Sequence, residues 1–420
     1  MINLARQFRL PYGHGQYQEI TIAEENYLGT LEHHEVSLQP RQNDLAAALA
    51  RPVASSPLRE IVKPGEKIAL VTSDITRPCP SHQLLPPILK ELELAGVKDQ
   101  DITIILATGN HRQHTEAEKQ RLVGKEIYAR YRCLDADAED AVYLGETRRG
   151  TPVEIFRPVI EADRRILVGN VEYHYFAGYS GGVKAIMPGC STPRAIQANH
   201  RMMIEPGAQA GEIENNPVRQ DIEDVLHFLA VDFIVNVILD EHKNVLAAFA
   251  GHPIAAHRQA ARYLDRLYKV NIAEPADIVI ASAGGFPKDI NLYQAQKAID
   301  NARRAVRPGG ILILVAECPE GLGDATFAAW VMAAQKPDDL IERVRINFEL
   351  GGHKAAAIAM VLKDTRIYLV SSLPAQVARQ IFLEPFSSLT EAYQSALKEL
   401  GTESKVLLIP QAGSVLPCLV

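Results

Sequence analysis

Short apolar runs alternate with amphipathic stretches along most of the chain. Three runs rich in β-branched residues lie at 67–72, 101–106 and 165–168. The stretch 81–95 between the first two has apolar positions at helical spacing and begins at Ser81, a residue type that caps helix N-termini. Such runs, separated by helices, are typical of a parallel sheet that helices cover on both faces. The pattern therefore predicts an α/β fold.

The strand–helix pattern starts again near residue 272. A helical stretch at 253–269 precedes this point, and further apolar runs follow it at 277–281, 311–315 and 366–370. Because each set of strands and helices can bury its own sheet, the restart predicts two α/β domains with mostly parallel sheets.

The boundary near residue 272 gives an N-terminal domain of residues 1–272 and a C-terminal domain of residues 273–405. Within 10–60 the sequence is turn-rich and then alternating, which predicts an antiparallel strand pair near the N-terminus. A last apolar run at 405–409 is expected to return to the first domain. Residues 406–420 are therefore assigned to the N-terminal domain.

Composition and charge narrow the class of protein. Of 420 residues, 47% are apolar and 23% charged, as in ordinary globular proteins, which excludes disordered, collagen-like and coiled-coil chains. The net charge is −7 and no basic run occurs, so neither nucleic acid nor an anionic membrane is an expected partner. The apolar runs are too short to span a bilayer, and the N-terminus lacks the apolar core of a secretory signal.

The five cysteines contain no Cys-x-x-Cys pair, which argues against a structural zinc site and a disulfide framework and favours the cytoplasm. Three common fingerprints are also absent: the phosphate-binding Gly-x-x-x-x-Gly-Lys-Ser/Thr, a Gly-x-Gly-x-x-Gly after a strand, and His-Glu-x-x-His. Their absence disfavours P-loop nucleotide hydrolysis, NAD-linked dehydrogenation and zinc proteolysis.

Polar loops follow the first two predicted strands. Asp74, Ile75, Thr76 and Arg77 come directly after the first strand, and Pro78 holds Arg77 in an extended conformation. Ligands of open parallel sheets bind at the carboxyl ends of the strands, so these residues suit an anionic, hydroxylated ligand. The alternative is a turn closed by an internal Asp–Arg pair.

His111 follows the second strand within 107–114 and lies at the same predicted sheet edge. It could act as a general base, although a lone loop histidine is more often only solvated.

The densest loop, at 170–184, follows the third strand. Its glycines allow close backbone approach to a ligand, and Lys184 could contact a phosphate or anchor a covalent group. His200 stands at the end of the next predicted helix. The alternative is a glycine-rich turn with a surface lysine, but three such loops at successive strand ends favour a site.

A fourth polar segment belongs to the second predicted domain. The glycine loop at 284–289 enters a helix on which Gln294 and Lys297 share one face. An amide and an ammonium there could hold a substrate carboxylate. The alternative is an ordinary solvent-exposed helix face.

Together these motifs resemble the nickel-dependent lactate racemase family, from about residue 8 to the C-terminus. The shared elements are Asp-x-Thr-Arg-Pro, Gly-x-His-Arg, His-Tyr-Phe-Ala-Gly-Tyr-Ser-Gly-Gly-x-Lys, Asn-His and Gln-x-x-Lys, in this order. The resemblance implies a nickel-pincer nucleotide, a nickel(II) pyridinium-3,5-bisthiocarboxylate mononucleotide that separate biosynthetic proteins supply.

The resemblance also implies a role for each motif residue. Lys184 would tether the cofactor covalently, His200 would be the protein ligand to nickel, and His111 and His174 would be the two catalytic bases. The segment from Asp74 to Arg77, with Ile75 and Thr76, would line the cofactor. Arg77, Gln294 and Lys297 would contact the substrate, and the active site would lie in the cleft between the two domains.

This chemistry agrees with the residue types. The α-hydrogen of a 2-hydroxy acid is very weakly acidic, so its removal as hydride by a cofactor avoids the need for a strong base. Return of hydride to the other face of the planar keto acid inverts C2. Two bases are then needed, one for each hydroxyl orientation, and histidine titrates near neutral pH. Nickel accepts imidazole and sulfur ligands.

One departure from the family pattern leaves the identity of the substrate undecided. Where lactate-specific members place a bulky aromatic residue, this chain reads Gly351-Gly352-His353-Lys354. The expected function is racemisation of a lactate-like 2-hydroxy acid. The alternatives are C2 epimerisation of a sugar acid with the same cofactor, which a polar pocket around His353 and Lys354 would favour, and a non-catalytic cofactor-binding protein, which would not need both His111 and His174.

Overall fold

In the computed structural model, the described residues are 5–32, 44–240 and 242–419. The strands in this part of the chain are, in order, β1 (Ala5–Tyr12), β2 (Gln16–Ala23), β3 (Tyr27–Thr30), β4 (Ile68–Ser73), β5 (Ile102–Ala107), β6 (Arg132–Asp135), β7 (Ala141–Glu146), β8 (Pro152–Phe156), β9 (Arg164–Asn170), β10 (Tyr173–His174), β11 (Gly178–Tyr179), β12 (Phe233–Leu239), β13 (Val245–Gly251), β14 (Lys269–Ile272), β15 (Ala276–Ser282), β16 (Val306–Val315), β17 (Arg366–Val370), β18 (Glu384–Phe386), β19 (Val406–Ile409) and β20 (Leu416–Leu419).

The α-helices of the same residues are α1 (Leu45–Ala50), α2 (Leu58–Ile61), α3 (Ser81–Leu94), α4 (Glu116–Val123), α5 (Lys125–Arg130), α6 (Arg157–Ile160), α7 (Pro193–His200), α8 (Pro217–Asp224), α9 (Pro253–Tyr268), α10 (Leu292–Ala302), α11 (Ala325–Ala333), α12 (Pro337–Ile346), α13 (Gly352–Leu362), α14 (Ala375–Gln380) and α15 (Leu389–Leu400). None of them combines the length and apolarity that a membrane span requires.

The chain divides into two compact units. One consists of residues 36–265, and the other combines residues 1–35 with residues 266–420. The predicted α/β class with two largely parallel sheets is confirmed. The prediction that residues 1–272 form one continuous domain is wrong, because the first 35 residues belong with the C-terminal part of the chain.

The sheet of the N-terminal domain has the strand order β13-β12-β9-β4-β5-β6. All neighbours are parallel except β12 and β13, which form an antiparallel edge pair. Its central strands β4 and β5 are largely buried on both faces, and α3 covers one face with a row of buried leucines and Ile88. Because β4, β5 and β9 are parallel neighbours, their carboxyl ends meet at one edge of the sheet.

The sheet of the C-terminal domain has the order β18-β17-β16-β15-β19-β3, and all of its pairs are parallel. The predicted antiparallel pair near the N-terminus is confirmed as β1 and β2, whose Leu10, Ile20 and Ile22 pack on this sheet.

Two further sequence predictions are corrected here. Residues 406–420 do not return to the N-terminal domain, because Val406–Ile409 pair with β15, where the fully buried Leu408 and Ile409 complete the core. Ser81 does not cap α3 either. Pro80 takes the N-cap position, and the Ser81 hydroxyl lies 2.7 Å from the Thr72 hydroxyl, so its hydrogen-bonding capacity is used within the core.

Candidate functional site

A tight polar turn follows β4. The Arg77 amide donates to the Asp74 carbonyl at 3.2 Å, and the Thr76 hydroxyl donates to the Asp74 carboxylate at 2.8 Å. The Asp74 side chain is 2% exposed, whereas Thr76 and Arg77 are exposed. The Asp–Arg ion pair considered as the alternative is not among the contacts of the described residues. The carboxylate is directed instead to a neighbouring loop.

That carboxylate contacts His111, which follows β5. The His111 Nδ1 atom lies 2.5 Å from Asp74 Oδ2 and 3.3 Å from the Thr76 hydroxyl. A ring whose Nδ1–H donates to a carboxylate keeps its lone pair on Nε2, the arrangement of a histidine base oriented by an acid. Burial by itself would raise the pKa of Asp74, but hydrogen bonding and electrostatic attraction from His111, followed by the Thr76 hydroxyl and the charge of Arg77, hold that pKa below its usual value.

His114, three residues after His111, has a structural role that the sequence did not reveal. Its Nδ1 lies 2.6 Å from Asp135 Oδ1, and its Nε2 accepts from the Ile75 amide at 3.1 Å. Its side chain is 1% exposed. With both ring nitrogens engaged, His114 fixes the position of the turn that carries Asp74. The segment 107–114 contains two histidines, His111 and His114, but its sequence does not show which of the two is buried.

The loop after β9 is shaped by glycines. Gly181 and Gly182 have φ angles of 74° and 61°, which side-chain-bearing residues rarely adopt. The Gly182 amide donates to Asn236 Oδ1 at 2.9 Å, and a Cβ at this position would lie 2.9 Å from the His257 ring. The loop therefore needs glycine both for its backbone conformation and for its packing.

Two buried basic residues donate hydrogen bonds to carbonyl groups of this loop, and the sequence analysis did not identify either of them. Arg219 is fully buried and donates to the carbonyls of Ala177 and Tyr179. His257 Nε2 donates to the Ser180 carbonyl at 2.8 Å. Because both lie on helices far along the chain, no local pattern connects them with the loop.

Three of the predicted residues gather around one aromatic ring. Phe176 is buried, and its ring centroid lies 4.5 Å from that of His174 and 4.9 Å from that of His200. The Lys184 Nζ atom lies 6.0 Å from the same centroid. The side chains of His174, Lys184 and His200 are each partly exposed. The structure therefore brings His200 of α7 together with His174 and Lys184 of the loop after β9.

The electrostatics of this cluster favour neutral nitrogen bases. Burial, followed by the positive charges of Lys184, Arg77 and His200, lowers the pKa of His174 well below its usual value. Burial also lowers the pKa of Lys184 well below its usual value, assisted by Arg219 and Arg77. A neutral imidazole can accept a proton, and a neutral amine can act as a nucleophile. The positive charge of Arg77 contributes to both shifts.

His200 is oriented by its neighbour. Its Nδ1 lies 2.9 Å from Asn199 Oδ1, which fixes the tautomer whose Nε2 carries the lone pair. Asn199 is itself buried and donates to Asp221 at 2.7 Å. Within the described ranges, no three His, Cys, Asp or Glu side chains converge as a metal site. His200 alone suits a metal whose other ligands come from a bound organic group.

Gln294 and Lys297 lie in the C-terminal domain, both exposed on α10. The helix begins at Asn291, whose side chain accepts from the Gln294 amide at 3.0 Å. Their predicted meeting with the N-terminal residues in a cleft stays a prediction.

His353 and Lys354 do not form the open polar pocket considered for a sugar acid. They are 5% and 7% exposed, His353 Nδ1 accepts from the Gly351 amide at 3.0 Å, and the Lys354 ammonium donates to the Tyr293 carbonyl at 2.7 Å.

Comparison with known proteins shows which family the chain resembles. Residues 12–211 match the family described as "Lactate racemase N-terminal domain", and residues 271–416 match "Lactate racemase C-terminal domain". The chain is 31% identical over 420 residues to the lactate racemase of Thermoanaerobacterium thermosaccharolyticum, covering 97% of this chain and 98% of that protein. It is 30% identical over 408 residues to the lactate racemase of Lactiplantibacillus plantarum, covering 94% and 96%.

Solved structures extend the likeness to the fold. The lactate racemase apoprotein from Thermoanaerobacterium thermosaccharolyticum superposes with a TM-score of 0.85 at 30% identity, covering 98% of this chain and all of that one. A Thermotoga maritima protein matches at 17% identity with a TM-score of 0.59, covering 86% and 96%, which shows a shared fold alone.

Proposed function

Because this chain belongs to the lactate racemase family, a family of isomerases, we propose that it racemises a lactate-like 2-hydroxy carboxylic acid by reversible hydride transfer at C2. The observation that carries the proposal is the arrangement of two histidines. His111 is oriented by Asp74 at 2.5 Å, and His174 is held beside Phe176 in a cationic cluster that keeps its imidazole neutral.

The same cluster fits the nickel-pincer nucleotide. Lys184 offers an amine whose depressed pKa suits a covalent tether, and Gly182 begins the turn that carries it. His200 offers one imidazole nitrogen to the metal. When bound, this cofactor would supply the hydride acceptor. We propose that separate cofactor-biosynthesis proteins deliver it.

The residues of the chain then handle the hydroxyl proton. As the C2 hydrogen leaves with its electron pair, the hydroxyl proton passes to His111 Nε2 or to His174, depending on the enantiomer. The remaining electrons form the C=O bond of a 2-keto acid. Asp74 stabilises the imidazolium of His111. The same steps in reverse, with hydride returning to the opposite face and the proton coming from the other histidine, give the other enantiomer.

Substrate binding falls to cationic and amide groups. Arg77 is exposed at the turn after β4, and Gln294 and Lys297 are exposed on α10. We assign them to the carboxylate and hydroxyl of the substrate. The five cysteines are all unpaired, which supports a reducing compartment such as the cytoplasm for this reaction.

A panel of enantiopure 2-hydroxy acids tests the proposal. The cofactor-loaded protein is incubated with each enantiomer, and the products are separated by chiral chromatography. We expect each enantiomer of at least one acid to yield both, and the acid with the highest kcat/KM identifies the substrate. Protein with cofactor but no interconversion of any acid would show that the chain only binds the cofactor.

The cofactor assignment has a separate test by intact mass and metal analysis. Lys184→Ala should lose the covalent mass adduct, because the tether needs the amine, and His200→Ala should retain less nickel after dialysis. Lys125→Ala, an exposed lysine of the same domain, is the control and should keep the adduct. An unchanged adduct in Lys184→Ala would refute the tether.

A further inference from the structure

Lys354, in the first turn of α13, is a buried ammonium that contacts α10. Lys354 is 7% exposed. The Nζ atom donates to the Tyr293 carbonyl at 2.7 Å and lies 3.9 Å from the centroid of the Tyr293 ring. Both contacts are with Tyr293, the residue directly before Gln294. Lys354 therefore fixes the first turn of α10, where the proposed substrate contacts begin.

The positive charge of Lys354 is not balanced by a nearby ion pair. Neither Lys354 nor Lys297 has a carboxylate within 4.0 Å in the described part of the chain. The acidic side chain that acts on Lys354 is Asp324, which caps α11 by accepting from the Phe327 amide at 2.8 Å and is not within ion-pair distance of the Lys354 ammonium. The first turn of a helix also carries partial positive charge, which adds to the excess.

Buried uncompensated charge is costly, so proteins keep it mainly where a ligand completes the balance. Lys297 is the second cation, one helical turn after the Tyr293 that Lys354 contacts, and it is exposed on the same helix face as Gln294. A carboxylate at this face would meet one exposed and one buried ammonium. Burial, followed by the charge of Lys297, lowers the pKa of Lys354 to about 7, as expected for two cations without their counter-ion.

We propose that Lys354 is a positioning residue that holds the first turn of α10 through Tyr293 and supplies the second positive charge of a carboxylate subsite formed by Gln294 and Lys297. The inference rests on the proposed function, since it takes these two residues as the substrate contacts. It adds that recognition of the carboxylate depends on two lysines and not on one.

Direct binding of an unreactive analogue tests this inference. The probe is 2-hydroxy-2-methylpropanoate, which has the carboxylate and the hydroxyl but no α-hydrogen, and its neutral carboxamide is the matched probe. Calorimetry on the cofactor-loaded protein gives the Kd of each. We expect the wild type to prefer the carboxylate at least tenfold. Because contacts with a charged group are stronger than contacts with a neutral one, Lys354→Met should weaken carboxylate binding about 10- to 100-fold and carboxamide binding much less.

Two further variants separate charge from mere packing. Lys354→Arg keeps the charge and should retain most of the preference for the carboxylate. Lys363→Met removes an exposed lysine at the other end of α13 and should bind like the wild type. Thermal unfolding checks that every variant is folded. If Lys354→Met does not fold, the pH profile of the wild type against that of Lys354→Arg carries the test.

In that profile, wild-type affinity for the carboxylate should fall as pH rises above about 7, because Lys354 loses its proton. Lys354→Arg should shift this loss to higher pH. The other titratable groups around Lys354 are Lys297 and Tyr293 on α10, Asp324 before α11 and the neighbouring His353. The pKa of His353 is lowered by burial, and that of Tyr293 is raised by burial, so neither titrates in this window.

The inference is overturned if the carboxylate and carboxamide bind equally, if Lys354→Met weakens both alike, or if Lys363→Met has the same effect as Lys354→Met. Failure of the proposed function gives a different result, namely no interconversion of any acid in the chiral panel. Selective binding of the carboxylate through Lys354 would still be measurable in that case, so the two failures are distinguishable.

Discussion

At the scale of single residues, His111 and His174 differ in their hydrogen-bond partners and in the charges around them. His111 is oriented by a buried carboxylate. His174 Nδ1 instead accepts a hydrogen bond from the Ala177 amide at 3.3 Å, and the charged groups that act on its ring are cations. The first arrangement stabilises a protonated ring and the second opposes it. As the proposed bases, the two histidines should therefore not be equivalent, with each serving one enantiomer of the substrate.

We predict that removing either histidine blocks half of the cycle. His111→Ala and His174→Ala should each lower racemisation in both directions by about 10²–10⁴-fold, the usual cost of losing a general base. Each variant should still change the cofactor absorbance with one enantiomer only, and the two should respond to opposite hands. Mixing each variant with each pure enantiomer checks this. Near wild-type racemisation by His111→Ala would show that His111 is not a base.

His114→Ala is an informative comparison for that experiment. His114 holds Ile75 and contacts Asp135, so its loss should disturb the turn that carries Asp74. We expect His114→Ala to lower thermal stability more than His111→Ala does, because the His114 side chain is 1% exposed and bonded through both ring nitrogens, whereas that of His111 is 28% exposed.

The buried side chain of Lys354 should make the free energy of unfolding depend on pH. Its pKa is about 7 in the folded protein against an ordinary value of 10.5. Between these values the folded state is neutral while the unfolded state holds a proton, so stability rises with pH through this window. Relative to Lys354→Met, the wild type should therefore gain a few kcal/mol between pH 7 and pH 10, at about 1.4 kcal/mol per pKa unit. Urea unfolding of both proteins at each pH measures it, and parallel pH curves would contradict it.

At the scale of elements, the loop after β9 depends on space as well as on backbone conformation. Gly182→Ala would combine a φ of 61° with a Cβ that lies 2.9 Å from the His257 ring, which supports the loop through Ser180. Gly150 offers the matched case, because its φ is 78° but no atom lies within 4 Å of an added Cβ.

We predict that Gly182→Ala costs about 1–3 kcal/mol more than Gly150→Ala, since only the first adds overpacking to the conformational strain. It should also reduce the covalent adduct at Lys184, which lies in the same turn. Denaturant unfolding and intact mass measure the two effects. Equal destabilisation by the two substitutions would mean that the contact with His257 relaxes at no cost.

At the scale of the whole molecule, the two ends of the chain complete the same sheet. β19 lies between β15 and β3, so the C-terminal domain needs segments from the first 35 and the last 15 residues. The N-terminal domain, by contrast, is continuous over residues 36–265. Loss of the C-terminal segment should therefore damage one domain selectively.

We predict that deletion of residues 406–420 exposes Cys318 to thiol reagents, because β15 loses a parallel neighbour and the core loses the buried residues of β19. Cys79 and Cys190, buried in the N-terminal domain, should stay protected. Peptide mass analysis after labelling distinguishes the sites, with the full-length protein as control. Labelling of all three cysteines would show that the two domains unfold together.

The sequence by itself determined the elements whose causes are local. Runs such as 366–370 became strands with the expected bounds, because a short apolar stretch between turns can be buried only in a sheet. The motif loops after β4, β5 and β9 were placed correctly at strand ends for the same reason, and parallel neighbours then had to bring Asp74, His111 and the Lys184 loop to one edge.

Only the tertiary structure decided what depends on partners distant in sequence. The run at 405–409 reads as a strand in either domain, and pairing with β15 assigns it because register and burial are properties of two strands together. The tasks of His114, Arg219 and His257 depend likewise on carbonyls, amides and carboxylates contributed by other segments. A histidine or arginine looks the same in the sequence whether it is solvated, buried or catalytic, because its free energy depends on the groups that surround it after folding.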